Sequence, residues 1–390
     1  NAADHIIDLG PGAGSMGGII VAQGNLNKIV KTESLTAKYL TGKMEIPVPK
    51  SRKKIKNKIT LTGCRENNLK NISMDFPLEM LVCITGISGS GKTTLVKKIL
   101  YPALQRLKGN FKEKPGQFSE VKGDIDLISS IEYIDQNPIG MSSRSNPATY
   151  LKVYDDIRNL FAIQNTSKQF SFKPKHFSFN VDGGRCDSCK GEGTIKIEMQ
   201  FMSDIILPCE TCKGKRFKKD VLKVKFQNKN IDDVLNMTIE DASNFFIEHN
   251  QKRIATKLKA LLDVGMGYVK LGQSSSTLSG GEAQRIKLAS FLLKGNNKEN
   301  TLFIFDEPTT GLHFHDIKKL IKSFNLLIEF GHSIIVVEHN IDLIKSADHI
   351  IDLGPYGGEK GGDIVYTGTV ENLVKTNKSL LSSHLKSKLS

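Results

Sequence analysis

The 390 residues contain no stretch of about 18 apolar positions, so no membrane-crossing helix and no membrane partner are expected. The first ten residues lack the basic-then-apolar order of an export signal, and a cytoplasmic protein is expected. Proline is sparse at 12, and 34 glycines are too few to suggest a disordered chain. Cysteine is scarce: of six, Cys64 and Cys83 stand alone and receive no role. The other four form two tight pairs. Without an export signal, such pairs point to metal rather than to disulfides. Acidic side chains are the minority charge, 41 against 55 basic ones, which leaves a net +14. That imbalance favours polyanions, nucleic acid first, while a lysine-rich solvated surface gives the same total. The remainder, 39% apolar and 25% charged, is that of a globular chain with one large core or two to three smaller ones.

One repeat organises the chain. Residues Ala3 to Pro11 read ADHIIDLGP, and Ala347 to Pro355 read the same nine letters. Both run on through glycines, into GGIIVAQG and GGDIVYTG. The chain is therefore expected to begin at the tail of one module and to hold a complete second one, from a parent with two in tandem. Between them Lys50 to Lys58 (KSRKKIKNK) reads as an exposed basic linker.

Leu81 to Thr85, Thr301 to Phe305 and Ser333 to Val337 are short apolar runs that read as buried strands. Helical pattern follows at Thr93 to Leu100 and at Asp316 to Phe330. Alternating strands and helices imply an α/β fold with a mainly parallel sheet. Between about Asn146 and Ala260 the chain turns rich in Lys, Phe and Gly, and reads as an insertion with its own small α+β fold.

Gly86 to Thr93 reads GISGSGKT, the phosphate-loop pattern G-x-x-x-x-G-K-[ST] placed after a strand and before a helix. Its glycines let backbone N–H groups turn toward phosphate oxygens, and the helix start adds partial positive charge. Lys92 would neutralise the β- and γ-phosphates of ATP, and Thr93 would bind Mg²⁺. Asp306, at the tip of a buried strand, suits Mg²⁺ held through water. Glu307 beside it suits a general base. His339, just past the next strand, would contact the γ-phosphate, and Gln136 would sense Mg²⁺ and the attacking water. Leu278 to Gln284 (LSGGEAQ) is a second candidate anion-binding helix start, although Ser279 and Glu282 also fit an ordinary capping box.

Cys186-x₂-Cys189 and Cys209-x₂-Cys212 can supply four thiolates to a structural Zn²⁺. An iron–sulfur cluster or two redox pairs would use the same residues. The following stretch, Lys213 to Lys229, holds Lys213, Lys215, Arg216, Lys218, Lys219, Lys223, Lys225 and Lys229 with Phe217 and Phe226 among them. It reads as a strand-like basic arm for a phosphate backbone, or as a solvated strand pair with Phe in the core.

Together these motifs resemble the ABC ATPases. With RSNPATY (Arg144 to Tyr150), FSFNVDGGRCDSC (Phe177 to Cys189), PCETCKGKRF (Pro208 to Phe217), LSGGEAQRIKLA (Leu278 to Ala289), DEPTTGLH (Asp306 to His313) and VEHN (Val337 to Asn340), the chain resembles the C-terminal half of the bacterial excinuclease UvrA family over nearly all its length. The resemblance implies a dimeric DNA-damage sensor that recognises distorted duplex DNA, loads UvrB through the N-terminal half and does not cut DNA. It implies ATP and Mg²⁺ contacts at Gly86, Ser88, Gly89, Ser90, Gly91, Lys92, Thr93, Thr94 and Asp306, with Glu307, Lys92, His339 and Gln136 catalytic. A partner cassette's ATP would meet Ser279, Gly280, Gly281 and Glu282. Zinc would sit on the four paired cysteines, and DNA on the insertion. Met141 departs from the basic residue expected between Gly140 and Arg144. The implied division is 1–58 (preceding tail and linker), 59–145 with 261–378 (ATPase cassette), 146–260 (zinc insertion) and 379–390 (tail). Two other readings use the same motifs: a transport or translation ATPase whose zinc module docks protein, and a UvrA-like drug-resistance paralogue.

Overall fold

The computed structural model describes every residue except 1, 2, 13, 15, 16, 141, 143, 200–203, 296–298, 377, 378 and 390. The departure noted at Met141 thus lies outside the described residues. In chain order the strands are β1 (Ile6–Gly10), β2 (Ile19–Gly24), β3 (Lys58–Cys64), β4 (Ile72–Pro77), β5 (Leu81–Gly86), β6 (Glu120–Gly123), β7 (Ser130–Ile134), β8 (Thr194–Ile197), β9 (Ile205–Pro208), β10 (Thr301–Asp306), β11 (Ser333–Val337), β12 (His349–Gly354) and β13 (Asp363–Gly368). Two compact units result. One comprises Asn1–Asp8, Ala22–Gln136 and Lys294–Ser390, the other Leu9–Val21 and Asn137–Leu293. Residues 261–293, with LSGGEAQ, thus fall in the unit that holds the cysteines.

The first unit is built on a six-stranded sheet, in the order β13-β12-β5-β11-β10-β7. All neighbours are parallel except β13, which closes one edge antiparallel to β12. Its central strands are apolar on both faces, as a covered parallel sheet requires. In β10, Leu302 and Ile304 face one layer with Ile335, Val337, Val82 and Ile84. Phe303 and Phe305 face the other. The first layer packs on Leu95, Val96, Ile99 and Leu100 and on the antiparallel sheet β4-β3-β6, through Ile59, Leu61, Met74 and Phe76. The second is covered by helix Phe314–Glu329, whose Ile317, Leu320, Ile321, Phe324, Leu327 and Ile328 repeat at helical spacing. Phe324 packs against Phe305 with ring centroids 4.7 Å apart and is fully buried. A side chain of that kind contributes about 2–3 kcal/mol. The helix stops at Gly331, whose φ of 88° suits a residue without Cβ.

Because β5, β7, β10, β11 and β12 run the same way, Gly86, Gln136, Glu307, His339 and Pro355 all emerge at the carboxyl edge of the sheet. The basic linker is less free than expected. Arg52 is nearly buried: it donates to the carbonyls of Lys345 (2.8 Å) and Ala347 (2.9 Å) and pairs with Glu371. A guanidinium has enough donors to satisfy a helix-end carbonyl, a second carbonyl just beyond it and an acid together.

The second unit is mostly helical, with Val153–Ala162, Ile239–Glu248 and Lys252–Asp263 as its longer helices before Gly280–Lys294. Tyr154, Phe161, Phe177, Phe179 and Phe217 make an aromatic core. The two-stranded ribbon β8–β9 lies between the cysteine pairs and is exposed along its whole length. The basic stretch after it is not a strand: Lys219–Leu222 is a short helix, and Phe217 and Phe226 are core. No helix among the described residues is long and apolar enough to cross a membrane.

Candidate nucleotide site and metal centre

The loop after β5 can take its path only with glycines at its turns. Gly86 has φ 136°, and a Cβ there would lie 2.1 Å from the Leu353 carbonyl oxygen. Gly91 has φ 107°. Lys92 folds back over the loop, donating to the carbonyls of Gly86 (2.8 Å) and Ile87 (2.9 Å). It is largely buried, and burial draws its pKa down against the opposing fields of Glu307, Asp352 and Asp306. Ser90 Oγ is buried without a hydrogen-bond partner among the described residues. A cation on carbonyls and an orphaned hydroxyl suit a loop that receives an anion. Thr93 precedes helix Thr94–Leu100, a π-helical turn that continues as α over Tyr101–Leu107. Thr94 Oγ1 accepts from Asn67 Nδ2 at 3.1 Å, and Ser88 and Gly89 are exposed at the crest.

Sequence reasoning missed the buttress behind this loop. The glycine-rich segment after the second ADHIIDLGP packs against it: Gly358 N–H donates to Gly89 O at 3.0 Å, and Asn68 Nδ2 donates to Gly89 O and Gly358 O. A Cβ on Gly357 would sit 2.5 Å from Ser88 O. The signal was visible as glycines shared by both repeat copies.

The acidic side of the site comes from β10 and β11. Asp306 accepts from Tyr133 Oη at 2.8 Å. Glu307 has φ 46°, an unusual conformation for a non-glycine residue. Its Oε1 lies 3.4 Å from His339 Nε2, and both side chains are about half exposed. Gln136 Nε2 donates to the Glu307 carbonyl at 3.3 Å. The structure therefore brings together Gln136, Glu307 and His339, residues far apart in the chain. Asp352, buried beside Gly86 and His339 in a cavity of ≈ 700 Å³, accepts from Ser379 Oγ, and burial raises its pKa. The other copy of the repeat ties Asp8 to Thr36 Oγ1 in the same manner, at 2.8 Å.

Ser279, Gly280, Gly281 and Glu282 lie in the other unit. Ser279 N–H donates to Glu282 Oε2 at 2.8 Å and Glu282 N–H to Ser279 Oγ at 3.3 Å, the reciprocal capping box. Tyr268 Oη donates to the second Glu282 oxygen.

The four paired cysteines converge. Cys186 and Cys209 sulfurs are 3.9 Å apart, those of Cys189 and Cys212 3.7 Å, and all four lie within 4.8 Å of one another. Zn–S bonds of about 2.3 Å in a tetrahedron put sulfurs about 3.8 Å apart, so the residues fit Zn²⁺. The two knuckles repeat each other. Lys190 and Lys213 are both left-handed, each followed by a positive-φ glycine, Gly191 or Gly214. Cys186 N–H donates to Arg216 O and Cys209 N–H to Gly193 O. Backbone N–H of Cys212 helps draw the Cys209 thiol down to about 7. Cys64, by contrast, is pushed up to about 12 by burial, and Cys83 also rises; both are core residues.

The basic residues near this centre divide. Lys213, Lys215, Lys218 and Lys219 are exposed, with Lys218 paired to Asp187 at 2.8 Å. Arg216 turns inward: its guanidinium stacks over Phe179 at 5.6 Å and donates to Gly272 O at 3.0 Å. It is therefore a packing residue more than a free cation.

The chain is similar to known proteins in sequence and in fold. A family model described as ABC transporter matches residues 187–310. UvrABC system protein A of Clostridium perfringens is 53% identical over 98% of this chain and 41% of its own length. The protein of the same name from Staphylococcus epidermidis is 52% identical over 99% of the chain and 41% of its own length. The chain thus spans about two fifths of the curated relatives it matches. The crystal structure of UvrA2 from Deinococcus radiodurans superposes with a TM-score of 0.92 at 37% identity, over the whole chain and 46% of that protein. With an ABC-type sheet, a four-sulfur cluster and this identity along nearly every residue, the chain belongs to the UvrA family.

Proposed function

We propose that this chain is the ATP-hydrolysing, zinc-stapled part of a DNA-damage recognition protein of bacterial nucleotide excision repair. It binds distorted duplex DNA as a dimer and uses ATP turnover to control damage search and the loading of UvrB. It carries no nuclease of its own, and UvrB engages sequence beyond this chain. The observation that supports this best is the Glu307–His339 pair beside the glycine loop, in a chain over half identical to UvrABC system protein A.

Each residue has a task in that reading. Backbone N–H groups of Gly86 to Thr93 receive the phosphates. Lys92 exchanges the Gly86 and Ile87 carbonyls for β- and γ-phosphate oxygens. Thr93 and Asp306 hold Mg²⁺, which neutralises charge on the phosphates. Glu307 orients and polarises water for in-line attack, while His339 contacts the γ-phosphate and Gln136 lies against the same carbonyl turn. Ser279 to Glu282 meet the nucleotide of a second cassette. Zn²⁺ on the four cysteines fixes the fold around which Lys213, Lys215, Lys218 and Lys219 face the DNA backbone.

The test is fluorescence anisotropy of intact and damaged duplexes, with and without nucleotide. Tighter binding to the damaged duplex, changed by ATP, is expected. Equal binding to both, indifferent to nucleotide, would refute the repair role. No DNA affinity at low salt would favour the protein-docking alternative.

A further inference from the structure

Glu338 follows β11 directly and is only 2% exposed. A buried carboxylate is unfavourable unless donors surround it, and here four do. Its Oε1 accepts from Thr309 N–H at 2.8 Å and from Thr309 Oγ1. Its Oε2 accepts from His339 N–H at 2.7 Å and Asn340 N–H at 2.9 Å. The two oxygens thus hold two different loops, one following β10 and one following β11. Glu307 opens the first loop and His339 the second. Glu307 N–H bonds Val337 O at 3.0 Å, and its left-handed backbone turns the chain so that Thr309 reaches Glu338. Glu338 N–H in turn bonds Ile84 O at 3.0 Å, one strand over, in the strand that ends in the glycine loop.

We propose that Glu338 is a positioning residue for ATP hydrolysis: its one buried carboxylate clamps the Glu307 loop to the His339 loop and so fixes the separation between their side chains. The inference rests on the ATPase reading of the site and adds to it a residue that never touches nucleotide. Only a carboxylate serves. An amide has one accepting oxygen and an NH₂, so in either orientation it turns donors toward backbone N–H groups that have no other way to point.

The test uses Glu338→Gln, which keeps the shape and removes the second acceptor. A displacement of about 1 Å in a catalytic pair costs on the order of 100-fold in rate. The kcat for ATP is therefore expected to fall about 30- to 100-fold, while affinity for a fluorescent ATP analogue stays within about threefold. In a Glu307→Gln background the same change should lower single-turnover hydrolysis by less than about threefold, because both act on one step. If Glu338→Gln does not fold, Thr309→Val, which keeps the N–H and removes the hydroxyl, should lower kcat about 3- to 10-fold at unchanged affinity. Wild-type kcat in the folded variant overturns the proposal, as does an equal loss of kcat and affinity or full additivity with Glu307→Gln. Failure of the ATPase reading looks different: Lys92→Ala and Glu307→Gln would themselves retain turnover.

Discussion

Gly86→Ala separates a glycine needed for close approach from one needed only for its dihedral. At Gly86 the added Cβ would meet the Leu353 carbonyl oxygen at 2.1 Å and Ser90 Oγ at 2.7 Å. The first is backbone of β12, paired with β5 through Leu353↔Gly86. Ordinary contact begins near 3.4 Å, so β12 and β5 must part by about 1 Å at the end of the ladder. Overpacking of that kind costs about 1–3 kcal/mol. A φ of 136° in a residue with a side chain adds about 1–3 kcal/mol. Gly311, with φ 72° and nothing within 4 Å of a Cβ, carries only the dihedral cost, about 1–2 kcal/mol. Chemical denaturation should therefore place Gly86→Ala about 2–3 kcal/mol below Gly311→Ala. Gly86→Ala should also weaken binding of an ATP analogue, because the displaced β12 carries Asp352 and leads into the buttressing glycines Gly357 and Gly358. Equal stabilities for the two variants, with nucleotide affinity intact in Gly86→Ala, would refute the close-approach argument.

Lys92→Ala should abolish ATP turnover and leave the metal content at one Zn²⁺ per chain, checked by phosphate release and by metal analysis. Cys209→Ser should lose that zinc and open the β8–β9 ribbon to protease while ATP analogue binding persists; retained stoichiometric zinc would contradict the four-sulfur site. Replacing Lys213, Lys215, Lys218 and Lys219 with Ala should lower the slope of log K against log salt for DNA by about 0.9 for each phosphate that is no longer neutralised. Arg216→Ala should instead lower thermal stability, since it removes a stacked, hydrogen-bonded guanidinium. His332 is held neutral by burial, which lowers its pKa below 6.5, and its Nδ1 accepts from Thr301 N–H. The unfolded chain then binds the proton more readily, so stability is full above about pH 6.5 and declines as pH falls below it. His332→Asn should flatten that decline in denaturation curves between pH 5 and 7.5; an unchanged pH dependence would show that the ring does not contribute.

The centre of the sheet was legible because β5, β10 and β11 are apolar on both faces, which leaves a continuous run such as TLFIF or SIIVV in the sequence. The glycine loop and the cysteine pairs were legible because their chemistry fixes local spacing. The basic stretch misled for a physical reason. Alternating Lys and Phe near a ribbon looks like a strand, yet Phe217 and Phe226 are drawn into an aromatic core and Arg216 follows them, leaving only the lysines outside. Arg52 misled likewise, since nothing in KSRKKIKNK marks which cation will find the carbonyls of Lys345 and Ala347. Glu338 was illegible because a strand-end acid ordinarily faces water, and only the fold brings it four donors. The repeat held more than its identity suggested. In both copies the acid of ADHIIDLGP is bound by a hydroxyl from the segment beyond the following hairpin, Thr36 for Asp8 and Ser379 for Asp352. The two hydroxyls sit 28 and 27 residues downstream of their acids, on different residue types, so it is the contact and not the letter that recurs. A buried acid such as Asp352 needs a donor, and Lys92 is taken up by the Gly86 and Ile87 carbonyls. A hydroxyl supplied by the tail meets that need, and it ties the last helix of the unit to the strand nearest the loop.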